Sequence, residues 1–134
     1  MKRIIYFAAI SILLFSKCSR DDNIIAHEDY LIILQDAIMV HRFDISAGTS
    51  LGNAGSLCVN SRVGDMIGWR LPTEGELQSL YQRRRAIGGF SNALYWSSTE
   101  VSDTFFRVVD FSNGAIRNMN RHSSLRARCV RTIN

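Results

Sequence analysis

The chain has 134 residues, 46% hydrophobic and 21% charged, which is ordinary for a globular protein and enough for one domain but not two. The formal charge of +4 overstates the basicity of the folded part, because Lys2, Arg3 and Lys17 fall in a segment with the marks of a targeting signal. Without them 13 basic side chains face 12 acidic ones, a balance that does not mark a nucleic-acid-binding protein.

Read in chain order, Lys2-Arg3 is a basic n-region and Ile4 to Phe15 an apolar h-region, shorter than the roughly 20 residues a spanning helix needs. Phe15-Ser16-Lys17-Cys18 then places a cysteine directly after the h-region and resembles the lipobox of bacterial lipoproteins. Lys17 stands where a small residue is usual, and Phe15 where leucine is usual. The resemblance implies a signal peptide over 1–17, with Cys18 lipidated and exposed as the new N-terminus. Cys18-Ser19-Arg20-Asp21-Asp22 is similar to the tag that carries some lipoproteins to the outer face of the outer membrane. An ordinary signal peptide with an incidental cysteine is the alternative. Residues 18–29 are polar and read as a tether, with one domain over 30–134. With Cys18 assigned to lipid, Cys58 and Cys129 remain as a pair. In an exported chain an even remainder reads as a disulfide, and two buried free thiols are the other possibility.

Leu31–Leu34 and Ile38–Val40 are β-leaning runs. Gly48 to Gly55 reads as a loop or the start of a helix. Ala54, Leu57 and Cys58 follow at helical spacing, a stripe that turns Cys58 into the core, and this helix should stop near Gly64-Asp65. Pro72 restricts Leu71 to extended geometry. Thr73 with Glu76 has the spacing of a capping box, opening a second helix with Leu77, Leu80 and Tyr81 on one stripe. Arg83-Arg84-Arg85 lies near its C-terminal end, where cations complement the helix dipole, and Gly88-Gly89 ends it. From Tyr95 the pattern is β: Tyr95–Ser98, then Phe105–Phe111 with Phe105, Arg107, Val109 and Phe111 on one face. Asn113-Gly114 is a hairpin-turn dipeptide, Ala115–Met119 returns antiparallel, Asn120–Ser124 is a loop, and Leu125–Thr132 is a last strand holding Cys129.

A scan for chemistry assigns no catalytic residue. His27, His41 and His122 are scattered, without metal-ligand spacing, and neither a nucleophile elbow nor a phosphate-binding loop occurs. Glu74 and Glu76 are explained by helix capping and dipole. The arginines are polarised: residues 101–134 carry Arg107, Arg117, Arg121, Arg126, Arg128 and Arg131 against Asp103 and Asp110. Such a face suits anionic partners or simply balances the acidic half.

The blocks Gly68-Trp69-Arg70-Leu71-Pro72-Thr73, Tyr95-Trp96-Ser97-Ser98-Thr99-Glu100, Phe111 with Gly114, and Arg126 through Arg131 with Arg128-Cys129-Val130 occur in the order and spacing of a known group. Over residues 50 to 132 the chain resembles the bacterial DUF1566 / Lcl C-terminal family and the related major paralogous domain of Fibrobacter; residues 24–49 match only loosely. The resemblance implies an α+β, C-type-lectin-like (formylglycine-generating-enzyme-like) fold with two helices and a small antiparallel sheet. It makes Trp69 and Trp96 core aromatics, and Arg70 and Glu100 polar groups that order loops. The enzymatic branch of that fold needs reactive or metal-binding cysteines, whereas Cys58 and Cys129 read as a bridge, so no enzyme is expected. No calcium-lectin triplet is present, and neither metal nor cofactor is expected.

Asp110 to Val130 is further similar to the C-terminal segment of variable proteins of diversity-generating retroelements, where a constant frame alternates with substitutable positions. An ordinary hairpin of the same family is the alternative. Loops and turns on a rigid scaffold carry recognition, so the expected ligand-binding face is Arg107, Asp110, Ser112, Ala115, Arg117, Met119, His122 and Leu125. The function implied is a lipid-anchored surface protein that displays this face to a protein or glycan of a cell, phage or host. The alternative is an assembly module of an envelope or adhesin complex with one fixed protein partner.

Overall fold

A computed structural model describes residues 23–134; the signal segment and Cys18 lie outside the described residues. Alternation of apolar and polar residues forms a first sheet of short antiparallel strands. They are β1 (Ile24–Ala26), β2 (Tyr30–Ile33), β3 (Ile38–His41) and, from the far end of the chain, β9 (Val130–Thr132), in the order β1-β2-β3-β9. Leu31 and Ile33 of β2 pair with Val40 and Ile38 of β3, and all four are buried. β1 pairs with β2 from Ile24 to Ala26, so the fold begins inside the segment expected to be tether.

The second sheet runs β4-β8-β5-β6-β7, with β4 (Ser46–Thr49), β5 (Leu94–Glu100), β6 (Phe105–Asp110), β7 (Ile116–Asn120) and β8 (Leu125–Ala127). Only the β5–β8 pairing is parallel. Both faces of its centre are buried. Tyr95, Val109 and Phe111 join a core with Leu77 and Leu80 and with the first sheet. Trp96, Val108 and Phe106 join a second core with Leu51, Ala54, Cys58, Trp69 and Leu71. Trp69 and Trp96 are 1% and 0% exposed, as the family resemblance implied. Each indole also finds a backbone acceptor, Val63 O for Trp69 and Thr49 O for Trp96, which removes the cost of burying its N–H.

Among the described residues three helices follow one another between β4 and β5 of the second sheet. Ser50 caps α1 (Leu51–Val59), whose buried residues are Leu51, Ala54 and Cys58. The inward stripe therefore begins one turn earlier than the sequence suggests, and Leu57 is exposed. The helix ends at Val59, with only a separate 3-10 turn at Val63–Asp65. Thr73 and Glu76 form the expected capping box on α2 (Glu74–Gln82). The arginine triplet does not sit on one helix end: the chain kinks at Arg83 before a short α3 (Arg84–Ile87). Arg83 reaches Asp36 at 3.1 Å and Gln35 at 2.6 Å, and Arg84 stacks over Tyr81. Arg70 pairs bidentately with Glu76 at 2.7 and 2.9 Å, while Glu100 is exposed. The loop-ordering acid is thus the capping-box residue, held in place by its second role.

The expected last strand is two strands in different sheets. Leu125–Ala127 lies between β4 and β5, the chain crosses at Arg128-Cys129, and Val130–Thr132 pairs with β3. Cys129 is bridged to Cys58 at this crossing, closing a loop of 71 residues in sequence separation. Loop-closure entropy makes such a bridge worth about 4 kcal/mol. Replacing both Cys58 and Cys129 by Ala should lower unfolding free energy by about that amount, measured by denaturant titration. A loss below about 1 kcal/mol would show that the β8–β9 crossing holds without the bridge.

Candidate ligand-binding surface

The β6–β7 hairpin is built outward from the aromatic core. Phe111, at the end of β6, packs against Tyr81, Phe90 and Tyr95 with ring centroids 5.4, 4.6 and 4.5 Å apart. The turn that follows is wider than a two-residue connection. Asp110 N–H donates to Ala115 O and Gly114 N–H to Asp110 O, so residues 111–114 form the loop and Asn113-Gly114 only its end. Gly114 has φ 81°, and a Cβ there would lie 2.5 Å from the Tyr81 ring. Asn113 Oδ1 accepts from Ala115 N–H at 2.9 Å.

Asp110 organises the turn. Its carboxylate accepts from the Ser112 hydroxyl at 2.6 Å and the Ser112 amide at 2.9 Å, and Arg117 lies 3.4 Å away. The Ser112 hydrogen bonds first, with Arg117 in support, hold its carboxyl below the usual range. Arg117, with half its side chain exposed, therefore projects from a tied turn.

The register separates the expected contact residues. Val108 lies opposite Arg117 and Phe106 opposite Met119, so Arg117 and Met119 share the face that carries Trp96 and the second core. Arg107 lies opposite Asn118 on the other face, where it bonds Asn118 at 2.8 Å and pairs with Glu74 at 3.3 Å. It belongs to the α2 side and does not join Arg117. Met119 and Leu125, expected as exposed apolar contacts, are half-buried against the second core. Asp110, Ser112, Ala115 and Arg117 gather at the turn end. His122 is exposed in the turn after β7, its amide bound to Asn120 Oδ1 at 2.9 Å; Leu125 follows on β8, opposite Thr49. Seven of the eight residues thus form a turn cluster and a second group at the far end of β7, and Arg107 stands apart on the opposite face.

Beneath the sheet crossing lies a buried charge network. Asp44 accepts from Arg128 at 2.9 Å, from Arg126 at 3.1 Å and from the Tyr95 hydroxyl at 2.7 Å. Burial, with Asp44 beside it, pushes the Tyr95 hydroxyl up to about 12. His41 shares a hydrogen bond with Ser61 at 3.0 Å and lies edge-on to Trp69. Burial, then the Arg128 charge, lowers its pKa to about 4. A histidine held neutral in this way is a poor general base at neutral pH, and the Ser61 hydroxyl also accepts from Val63 N–H. The pair is therefore part of the core. Among the described residues no group of three or more His, Cys, Asp or Glu could hold a metal ion, and no helix is long and apolar enough to cross a membrane.

The sequence reading missed an apolar cleft of about 610 Å³ beside α1, floored by Leu71 and Phe106. Its signal was present: Gly52, Gly55, Ser56 and Val59 stand at helical spacing on the uncharged α1 segment.

Replacing Gly114 by Ala should cost about 2 kcal/mol, since a side chain there meets both positive φ and the Tyr81 ring. Ser112→Ala, at an exposed position, should stay within about 0.5 kcal/mol of the parent. Thermal denaturation of the two variants checks the contrast, and equal melting temperatures would show that Tyr81 does not seat the turn.

The family model of the Lcl C-terminal domain matches residues 17–131, reaching through the front strands that the sequence motifs left outside. Among solved structures the chain is similar to botrocetin, with a TM-score of 0.50 and 7% identity over 82% of this chain and 96% of that one. At that identity the likeness shows the fold alone, which is α+β and C-type-lectin-like. None of the curated proteins compared matches the sequence.

Proposed function

The chain belongs to the Lcl C-terminal domain family, and from that premise we propose that it is a lipid-anchored surface protein whose lectin-like domain displays the β6–β7 hairpin and the turn after β7 to a ligand on another cell, a phage or a host. The lectin-like fold suits a ligand-binding domain. The observation that carries the finer reading is the contrast across the hairpin. β7 contributes no fully buried residue, its burial pattern being exposed at four of five positions. The strand it rests on holds Phe106, Val108 and Val109 at 8%, 0% and 0% exposure. A surface that can change without disturbing the core is what a recognition element needs.

The protein or glycan ligand meets Asp110, Ser112, Ala115 and Arg117 at the turn, and Met119, His122 and Leu125 further along. The half-buried Met119 and Leu125 set the shape of the surface as much as they touch the ligand. Arg107 acts from the opposite face, holding Asn118 and Glu74. No cofactor, metal or nucleic acid takes part, and the domain is not an enzyme. Cys18 carries the lipid, and the segment around it directs the protein to the outer membrane surface. The n- and h-region pattern supports this anchoring.

A second reading, an assembly module with one fixed protein partner, is favoured by the position of β7 at the sheet edge, where an added strand could pair with its free backbone groups.

The two readings separate on sequencing codons 95 to 134 across a population of the source cells. Diversified display requires substitutions concentrated at Ser112, Ala115, Arg117, Met119, His122 and Leu125, with Trp96, Gly114 and Cys129 unchanged. A uniform segment would leave the assembly module standing. In the same cells an alkyne fatty acid should label the parent protein, and Cys18→Ser should abolish the label; a labelled Cys18→Ser protein would exclude this anchor.

A further inference from the structure

We propose that the cleft between α1 and the β5–β6 strands is a second docking site, for an extended peptide segment of a partner protein that is apolar at its centre and carries a carboxylate at each end. The site uses none of the residues proposed to meet the hairpin ligand, although Phe106 and Arg121 border Met119 and His122, and it stands whether or not the hairpin binds a ligand.

The floor of the cleft is Leu71 and Phe106, and its wall is the outward face of α1, formed by Gly52, Gly55, Ser56 and Val59. Val59 is 63% exposed. No ionisable side chain lines the cleft, and a volume of about 610 Å³ lies within the range of ligand pockets. The wall is low because of its two glycines. Glycine is the least favourable residue in a helix interior short of proline, and here neither packing nor backbone conformation requires it. A Cβ at Gly52 or Gly55 would meet nothing within 4 Å. What the two glycines do is leave the cleft open. A local preference set aside without a structural return points to a functional surface.

The charges at its two ends define the occupant. Arg121 caps the N-terminal end of α1 through its carbonyl, which accepts from Leu51 N–H. Its guanidinium lies 5.7 Å from the Phe106 ring centroid and, among the described residues, bonds only the Asp103 carbonyl, at 3.0 Å. Arg62 holds the C-terminal end, donating to Val59 O at 3.2 Å and Ser61 O at 2.9 Å. Among the described residues neither arginine makes an ion pair. Cations thus stand at both ends of α1, beside a neutral apolar trough whose lining includes neither of them. The nine residues of α1 span about 13 Å at 1.5 Å per residue. An extended chain covers that length in about four steps of 3.4 Å. Carboxylates at positions i and i+4 of an extended segment, with apolar residues between them, match this spacing. A sulfated or phosphorylated polyanion would lack the apolar centre.

The experiment uses the full-length oxidised chain and two peptides, acetyl-Glu-Leu-Trp-Leu-Glu-amide and its counterpart with glutamine in place of both glutamates. Affinities are read by fluorescence anisotropy and the site by amide chemical shifts. The acidic peptide should shift the amides of Gly52, Gly55 and Ser98 and bind roughly tenfold tighter than the neutral one. The double variant Arg62→Gln/Arg121→Gln should erase that preference while keeping the weak binding. Gly55→Leu should fill the cleft and abolish binding of both peptides without lowering the melting temperature. The proposal is overturned by equal affinities for the two peptides, by shifts confined to the hairpin, or by no binding at all. It is overturned equally by a dimer in sedimentation that Gly55→Leu dissolves, which would make a second copy the occupant. None of these outcomes bears on the variability of codons 112 to 125.

Discussion

The arrangement turns on Arg128, a fully buried cation at the point where the chain leaves one sheet for the other. Its side chain is 0% exposed, and burial alone pulls its pKa down against the opposing pull of Asp44. Such a charge is tolerable only when its partners are in place. Asp44 supplies the counter-charge, Gly88 O accepts at 2.8 Å, and the Phe90 ring lies 3.8 Å beneath the guanidinium. The remaining nitrogen, Nη2, sits 2.9 Å from Asp44 Oδ1 but off line for a hydrogen bond, so it gains Coulomb attraction alone. Gly89, at φ 79°, has no Cβ to strike it. The partners come from two stretches of chain distant from Arg128, so the cation can be satisfied only when the β3–β4 connection, the segment that follows α3 and the β8–β9 crossing are all in position.

From that centre the constraint passes outward to the hairpin by contact. Asp44 accepts from the Tyr95 hydroxyl, Tyr95 packs on Phe111, and Phe111 is the residue from which the β6–β7 turn departs. Tyr81 closes the other side of Phe111 and fits the space left by Gly114. The bridge at Cys129 fixes the neighbouring position of the same crossing. A surface loop resting on such a root needs little order of its own. Asp110, Ser112 and Arg117 form a local tie that shapes the turn, while the ordering free energy comes from the interior.

Sequence patterns exposed the features whose chemistry is local. Thr73 and Glu76 are three residues apart and need only each other to cap α2, and the parity of the cysteines names the pair that bridges. Patterns failed where the deciding partner lies far along the chain. Leu125 to Thr132 reads as one strand because each half alternates correctly, and nothing local says that Arg128 must find Asp44, 84 residues away. Arg83 looks like a helix-end cation until Asp36 is seen beside it, 47 residues back. Arg107 and Arg117 look alike in sequence, and only the β6–β7 register places them on opposite faces. The same holds for Met119 and Leu125, apolar residues in a polar stretch that suggested exposure. Their neighbour, the second core, joins Phe106 and Val108 of the hairpin to α1, Trp69, Leu71 and Trp96, and those distant parts the hairpin sequence does not contain.

The two candidate surfaces follow from one asymmetry of the five-stranded sheet. Its inner strands are covered on both faces, which concentrates stability in β5, β6 and β8 and leaves β7 as an exposed edge. The α1 side is covered less completely. A nine-residue helix with glycine at two outward positions leaves a shallow trough above Phe106 and Leu71, which are only 8% and 6% exposed, with Val59 at its rim 63% exposed. A larger helix, or one with bulky residues at Gly52 and Gly55, would bury that rim and strengthen the core. The domain instead keeps an open trough on one flank and a substitutable edge on the other, and the buried cation, the aromatic root and the bridge make both possible in a chain this short.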